Sequence, residues 1–185
     1  MDQSEGVLLE ADDIARMVRR MATEILEQVP STASLGLVGI RRGGEPLARR
    51  LAASILELES RTVPVGCVDI TLYRDDAASS LPDPKIGPSE IDFDIEGRDI
   101  VLVDDVLQSG RTVRAAIDCL FDFGRPRRVW LAVLCDRGGR ELPVAPDFVG
   151  RIVRVRERDI IEVSANGGPG DHVIVRKSLR PEASA

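Results

Sequence analysis

Ile100-Val101-Leu102-Val103-Asp104-Asp105-Val106-Leu107-Gln108-Ser109-Gly110-Arg111-Thr112 is the stretch on which the fold of this chain turns. Four consecutive apolar residues have the pattern of a strand buried on both faces, and they deliver Asp104 and Asp105 to its end. Two adjacent carboxylates in apolar surroundings are costly unless cations or hydroxyls engage them, and a vicinal diol offers two such donors. The turn Val106 to Thr112 then opens a helix predicted from Thr112 to about Phe123; backbone N–H groups and hydroxyls at a helix N-terminus favour a phosphate. Taken alone, the acid pair reads more simply as a helix cap, and Ser109-Gly110 as a plain turn. The whole string, with its apolar lead-in and its Ser-Gly-Arg-Thr bend, points instead to a sugar and a phosphate bound side by side.

Upstream, Ser34 to Ile40 is a second continuous apolar run; it ends at Arg41-Arg42-Gly43-Gly44 and is followed by a helical stretch from Pro46 to about Glu57. Two guanidiniums and two permissive backbones at a strand end suit an anion, and equally suit a turn with two solvated arginines. Before it, Ile14, Met17, Val18, Met21 and Ile25 recur at helical spacing between Asp12 and Gln28. Val63 to Leu72 reads as a strand, followed by a polar, Pro-containing loop over about 73–90. Downstream, Arg127 to Cys135 is a further buried strand. Shorter β-like segments follow at Phe148 to Val155, Ile160 to Val163 and His172 to Val175. Strands alternating with helices predict an α/β fold: a mainly parallel sheet flanked by helices, with ligands at the carboxyl ends of the strands. One domain spanning 1–185 is expected.

The chain has 185 residues, 43% of them hydrophobic, which suffices for one sizeable core. Its net charge of -6 argues against a surface attractive to nucleic acid all over, and 3% aromatic residues argue against a stacking platform for single strands. No stretch reaches the length of a membrane span, and Met1 to Glu5 lacks the basic and apolar regions of a signal peptide, so a cytoplasmic location is expected. Cys67, Cys119 and Cys135 sit singly in apolar segments, the pattern of buried thiols. The lone His172 is given no role.

The string Val101 to Val113 resembles the 5-phosphoribosyl 1-pyrophosphate (PRPP) binding motif of type I phosphoribosyltransferases. With Asp69-Ile70-Thr71-Leu72-Tyr73-Arg74-Asp75-Asp76 and Asp136-Arg137-Gly138-Gly139-Arg140-Glu141-Leu142-Pro143, the chain is similar, from about Val7 to Val175, to the PyrR-type family of uracil phosphoribosyltransferases and pyrimidine-operon attenuation regulators. The resemblance implies the type I phosphoribosyltransferase fold, with a small C-terminal hood over about 137–175. It implies that Asp104 and Asp105 hold the ribose hydroxyls, that Val106, Leu107, Gln108, Ser109, Gly110, Arg111 and Thr112 hold the 5-phosphate, and that Arg41, Arg42, Gly43 and Gly44 contact pyrophosphate. Tyr73 and Arg74 match a loop that closes over PRPP. Asp136 and Arg137 are expected at the base pocket, beneath a hood formed near Ile160 and Ile161. The implied reaction joins uracil to PRPP, giving UMP and pyrophosphate, with Mg²⁺ chelated mainly by PRPP oxygens and water. A homo-oligomer, a dimer or larger, is also implied.

Regulatory members of that family bind messenger RNA when UMP or UTP is present, through a basic concave face. The candidate contacts here are Arg16, Arg19 and Arg20 on the first helix, with Arg140, Arg151 and Arg154 further on. Arg154, Arg156 and Arg158 alternate as if on one face of a strand; a solvated face paired with Glu157 and Asp159 accounts for them as simply. The chain departs from the regulators at Gly139 and Thr23, where they carry histidine, and at Arg42, where they often carry threonine. Two other classes stay open: a non-catalytic PRPP or nucleotide sensor, and a phosphoribosyltransferase for another nucleobase.

Overall fold

A computed structural model describes residues 5–71 and 88–177. Strand β1 (Glu5–Glu10) leads into helix α1 (Ala11–Gln28), and a 3-10 turn at Thr32–Ser34 precedes β2 (Leu35–Ile40) and α2 (Gly44–Glu59). Then follow β3 (Val65–Val68), β4 (Asp99–Leu107), α3 (Arg111–Phe121), β5 (Arg128–Asp136), β6 (Phe148–Ile152), β7 (Ile160–Ser164) and β8 (His172–Arg176). Five strands form a parallel sheet in the order β3-β2-β4-β5-β6, and β1-β8-β7 form a separate antiparallel sheet.

Helix α1 starts where Glu10 and Asp13 exchange a capping box, the Asp13 carboxylate accepting from the Glu10 N–H at 3.1 Å. Its apolar stripe Ile14, Val18, Met21, Ala22 and Ile25 is buried. Truncating a residue such as Ile25, with no exposure, to alanine costs about 2–5 kcal/mol. Helices α1 and α2 cover one face of the parallel sheet, where Leu35, Leu37, Val101, Val103, Ala132 and Leu134 pack; α3 covers the other, over Val38, Ile100, Leu102 and Val133. Leu9, Ile161, Val173 and Val175 of the small sheet belong to the first of these cores, so the small sheet is continuous with the main body.

The buried strands 34–40, 99–103 and 127–135 expected from apolar runs are present, and the structure corrects several boundaries. Strand β4 runs on to Leu107, because Asp104, Val106 and Leu107 still pair with Val133, Cys135 and Asp136 of β5. Strand β3 stops at Val68: the Asp69 carboxylate accepts from the Thr71 N–H at 2.9 Å, an Asx turn that bends the chain out of the sheet. Ser89 and Glu90, assigned to the loop over 73–90, are bonded to this region. The Ser89 hydroxyl accepts from the Asp69 N–H, and Glu90 exchanges two 2.8 Å backbone bonds with Cys67. Strand β6 ends at Ile152, not Val155, so Arg154, Arg156 and Arg158 do not share a strand face; Arg156 instead closes a turn onto Asp159. Strand β1, absent from the sequence reading, pairs with β8 through an irregularity between Val7 and Leu9 that breaks any simple alternation.

Candidate active site

The carboxyl ends of β4 and β5 meet the small sheet around a cavity of about 580 Å³, lined by Asp104, the run Val106–Thr112, Arg137, Glu141, Ile160 and Ile161. Most of the residues expected to hold a phosphorylated sugar and a base thus come together here. Asp104 is 6% exposed, and its Oδ1 accepts from the Asp105 N–H at 3.0 Å. Burial pushes the Asp104 carboxyl well above the usual carboxylate range, and the neighbouring Asp105 raises it further. Asp105 is also raised, by burial, although its carboxylate accepts from the Val106 N–H at 2.7 Å. A site that makes two carboxylates costly when empty favours a ligand bringing hydroxyls or a cation.

After the acids, Gly110 adopts φ +91°, a left-handed conformation that glycine takes without strain, and α3 starts at the next residue. The Ser109 hydroxyl accepts from the Arg111 N–H at 3.3 Å, and Arg111 pairs with Glu141 at 2.7 Å. Glu141 was not singled out in the sequence; its partner lies 30 residues away, a separation no local pattern reveals.

On the other side of the acid pair lies the loop 41–44. Gly43 sits against the Asp105 carboxylate and Gly44 against the Val103 carbonyl, with no room for a Cβ at either position. The Arg41–Arg42 peptide is cis. The two arginines part ways. Arg41 is held internally, by Glu45 at 3.2 Å, Glu90 at 3.3 Å and the Pro88 carbonyl at 2.6 Å. Arg42 is exposed, with no ion pair among the described residues. Tyr73 and Arg74 lie outside the described residues.

The expected base residues divide in the same way. Asp136 does not line the cavity: its carboxylate accepts from the Gly138 N–H at 2.9 Å and pairs with Arg140 at 2.7 Å. Arg137 does line it, yet its guanidinium donates to the carbonyls of Asp159, Arg156 and Glu157 at 2.7, 3.1 and 3.0 Å. Ile160, 58% exposed, and Ile161 face the cavity from β7 and offer it an apolar wall. Among the described residues no group of three or more His, Cys, Asp or Glu side chains could hold a metal ion. The raised acid pair suits a cation that arrives with most of its own ligands.

Of the arginines expected to meet RNA, Arg16 and Arg19 are exposed on α1, in surface pairs with Asp13 and Glu57. Arg20 bridges α1 to β6, donating to the Val149 and Gly150 carbonyls at 3.0 and 2.6 Å. Arg151 and Arg154 are exposed. The Asp13 carboxyl is held low by the Glu10 N–H and by Arg16, with a smaller contribution from Arg151. Arg140 is turned inward. A second, shallower hollow of about 640 Å³ lies between β1, the start of α1 and residues 169–172. Two of its polar groups are engaged, Asp171 with Arg50 and the His172 ring with the Gly170 carbonyl.

A parallel sheet whose central strand ends in an acid pair and an anion-binding bend, roofed by a small second sheet, is the architecture of a phosphoribosyltransferase. The phosphoribosyl transferase domain family matches residues 6–163. The bifunctional protein PyrR of Roseiflexus sp. (strain RS-1) is 51% identical over 175 residues, covering 93% of this chain and 96% of that protein. The bifunctional protein PyrR of Thermus aquaticus is 49% identical over 164 residues, covering 89% and 91%. The chain therefore belongs to the bifunctional PyrR branch of the phosphoribosyl transferase domain family. Among solved structures, the hypoxanthine phosphoribosyltransferase of Trypanosoma cruzi shares the fold, with a TM-score of 0.68 at 17% identity, covering 93% of this chain and 97% of that one. A hypoxanthine-guanine phosphoribosyltransferase from Bacillus anthracis does so with a TM-score of 0.66 at 18% identity, covering 91% and 96%.

Proposed function

We propose that this protein transfers the 5-phosphoribosyl group of PRPP to uracil, forming UMP and pyrophosphate. The observation that carries this reading is the single cavity joining Asp104, the turn 106–112 and the apolar hood residues Ile160 and Ile161, in a chain about half identical to bifunctional PyrR proteins. Asp104 and Asp105 accept from the ribose hydroxyls, which recovers the cost of burying them. The N–H groups of the turn receive the 5-phosphate at the start of α3. Arg42 and the loop 41–44, packed against Asp105, face the departing pyrophosphate. Tyr73 and Arg74 belong to the same proposal as lid residues. The bond from C1 of the ribose to pyrophosphate breaks, a bond from C1 to a uracil ring nitrogen forms, and the proton of that nitrogen passes to water. Positive charge develops on the sugar between the acids, so positioning and electrostatics supply the catalysis, with no covalent nucleophile. Mg²⁺ carried in by PRPP would neutralise charge on the pyrophosphate oxygens. A single domain, a homo-oligomeric state and a cytoplasmic location complete the proposal; no described helix is long and apolar enough to cross a membrane.

Incubation with uracil, PRPP and Mg²⁺ should yield UMP and pyrophosphate. Hypoxanthine, guanine and orotate are run alongside. Use of a purine in place of uracil would overturn the base assignment, and PRPP binding without turnover on any base would make the protein a sensor.

A second reading is UMP-responsive binding of a leader RNA. It is favoured by the exposed arginines Arg16 and Arg19 on α1 and Arg151 on the adjacent strand β6, with Arg154 exposed just beyond it, on an acidic chain.

A further inference from the structure

Three successive carbonyl oxygens of the phosphate turn, those of residues 107–109, are bonded from one segment. Leu107 O accepts from the Arg137 N–H at 3.1 Å, and Ser109 O accepts from the N–H groups of Glu141 and Leu142 at 2.9 and 3.1 Å. Between them, Gln108 O accepts from Arg140 Nη1 at 2.9 Å, and the same nitrogen lies 3.5 Å from Leu107 O. The remaining nitrogens of Arg140 are engaged too, Nε with the Val144 carbonyl at 3.0 Å and Nη2 with the Asp136 carboxylate at 2.7 Å. Arg140 is thus a cross-link between the end of β5, the segment that follows it and the turn after β4.

In a trans peptide unit the C=O and the next residue's N–H point in opposite directions. Carbonyls 107, 108 and 109 drawn toward the 137–144 segment therefore turn the N–H groups of Gln108, Ser109 and Gly110 away from it. Among the described residues these three N–H groups have no protein acceptor, and all three residues line the cavity. We propose that Arg140, anchored on Asp136, is a positioning residue for phosphate recognition: it holds the turn's carbonyls outward and so presents the N–H groups of Gln108, Ser109 and Gly110 to the phosphate. This rests on the reading of the cavity as a phosphoribosyl site. It also removes Arg140 from the RNA-contacting set, since its guanidinium cannot reach a solvent phosphate without releasing the turn.

Arg140→Lys keeps the charge but replaces a planar fork by a single nitrogen. In the full-length protein it is expected to raise the KM for PRPP and the Kd for ribose 5-phosphate by about tenfold or more, leaving the KM for uracil within about twofold. Asp136→Asn retains shape and an acceptor but loses the charged anchor; it shifts the same constants in the same direction by less, and it reads the brace should the Arg140 variant not fold. Arg114→Gln, an exposed change on α3, leaves all of them unaltered. Wild-type protein that binds ribose 5-phosphate but makes no UMP would sink the base assignment and leave the brace standing. Wild-type protein that does not bind it would remove both. A folded variant that binds ribose 5-phosphate as tightly as wild type, or loses uracil and PRPP affinity equally, would overturn the brace.

Discussion

The backbone of Gly43 lies against the carboxylate of Asp105, so close that a methyl group at position 43 would overlap Asp105 Oδ2. The loop 41–44 and the acid pair are therefore in direct contact, although 62 residues separate Gly43 from Asp105 in the chain. Gly43 has φ -70°, so glycine is required there for space rather than for backbone conformation. Gly43→Ala is expected to swing the Asp105 side chain aside and lower kcat/KM for PRPP by roughly 10²-fold, the scale of a 1 Å misplacement, while the far-UV spectrum stays unchanged. Steady-state kinetics with varied PRPP checks this; wild-type kinetics in a folded variant would contradict it.

Asp104 combines burial with a raised carboxyl, which makes it a stability cost retained for function. A carboxyl whose folded value is raised favours the folded state only while protonated. Its contribution is complete below the unfolded carboxylate range and is lost as pH rises through the raised folded value. Asp104→Asn is therefore expected to abolish most PRPP turnover and yet to raise Tm at neutral pH. Each ~1 kcal/mol of relief corresponds to about 2–4 °C for a chain of this size. The gap between mutant and wild type should shrink as pH is lowered past the carboxylate range, where both side chains are neutral. A Tm difference that grew toward acid pH would refute the assignment.

The main sheet was legible because its strands are buried on both faces, and continuous apolar runs such as Leu35–Ile40 carry that information locally. The acid pair and the turn were legible for a related reason: their chemistry lies within one contiguous string. What escaped the sequence depends on distant partners. Strand β1 exists through pairing with β8, more than 160 residues away. Arg137 and Arg140 looked like free cations for ligands, yet each is spent largely on backbone carbonyls. A carbonyl has no residue-type signature, so no pattern in a single sequence announces such a bond.

Arg137 ties the end of β5 to the turn at 156–159 that feeds Ile160 and Ile161 into the hood. Its removal should loosen the hood and leave the phosphate turn braced by Arg140. Arg137→Met is expected to raise the KM for uracil by about tenfold, with the KM for PRPP changing much less, and to speed hydrogen exchange at 156–161. Equal effects on both substrates would show that Arg137 acts on the site as a whole.

Arg50 of α2 pairs at 2.7 Å with Asp171, which is 5% exposed and also accepts from the Gly167 N–H. Removing one partner of a buried pair leaves an uncompensated charge, at a cost of about 3–5 kcal/mol. Arg50 retains some solvent contact, so Arg50→Met should fall at the low end, about 3 kcal/mol, by urea denaturation. Adding Asp171→Asn should recover part of the loss, because the buried charge is gone while an acceptor for Gly167 remains. A double mutant less stable than Arg50→Met would show that Asp171 matters chiefly through Gly167.

The exposed arginines of α1 and β6 separate regulation from catalysis. Arg16 and Arg19 have 71% and 62% of their side-chain surface exposed and only surface ion pairs, which contribute little to stability. Arg16→Ala and Arg151→Ala should therefore leave UMP synthesis and Tm essentially unchanged. If the protein binds a leader transcript in the presence of UMP, each substitution should weaken that binding and reduce the slope of log affinity against log salt by about one. Arg20→Ala is expected to behave differently: it also removes two bonds to β6 carbonyls, so it should lower Tm as well as RNA affinity. Filter binding over a salt series, with and without UMP, reads all three variants. Wild-type protein that shows no UMP-dependent retention of RNA would end the regulatory reading and leave the transferase chemistry untouched.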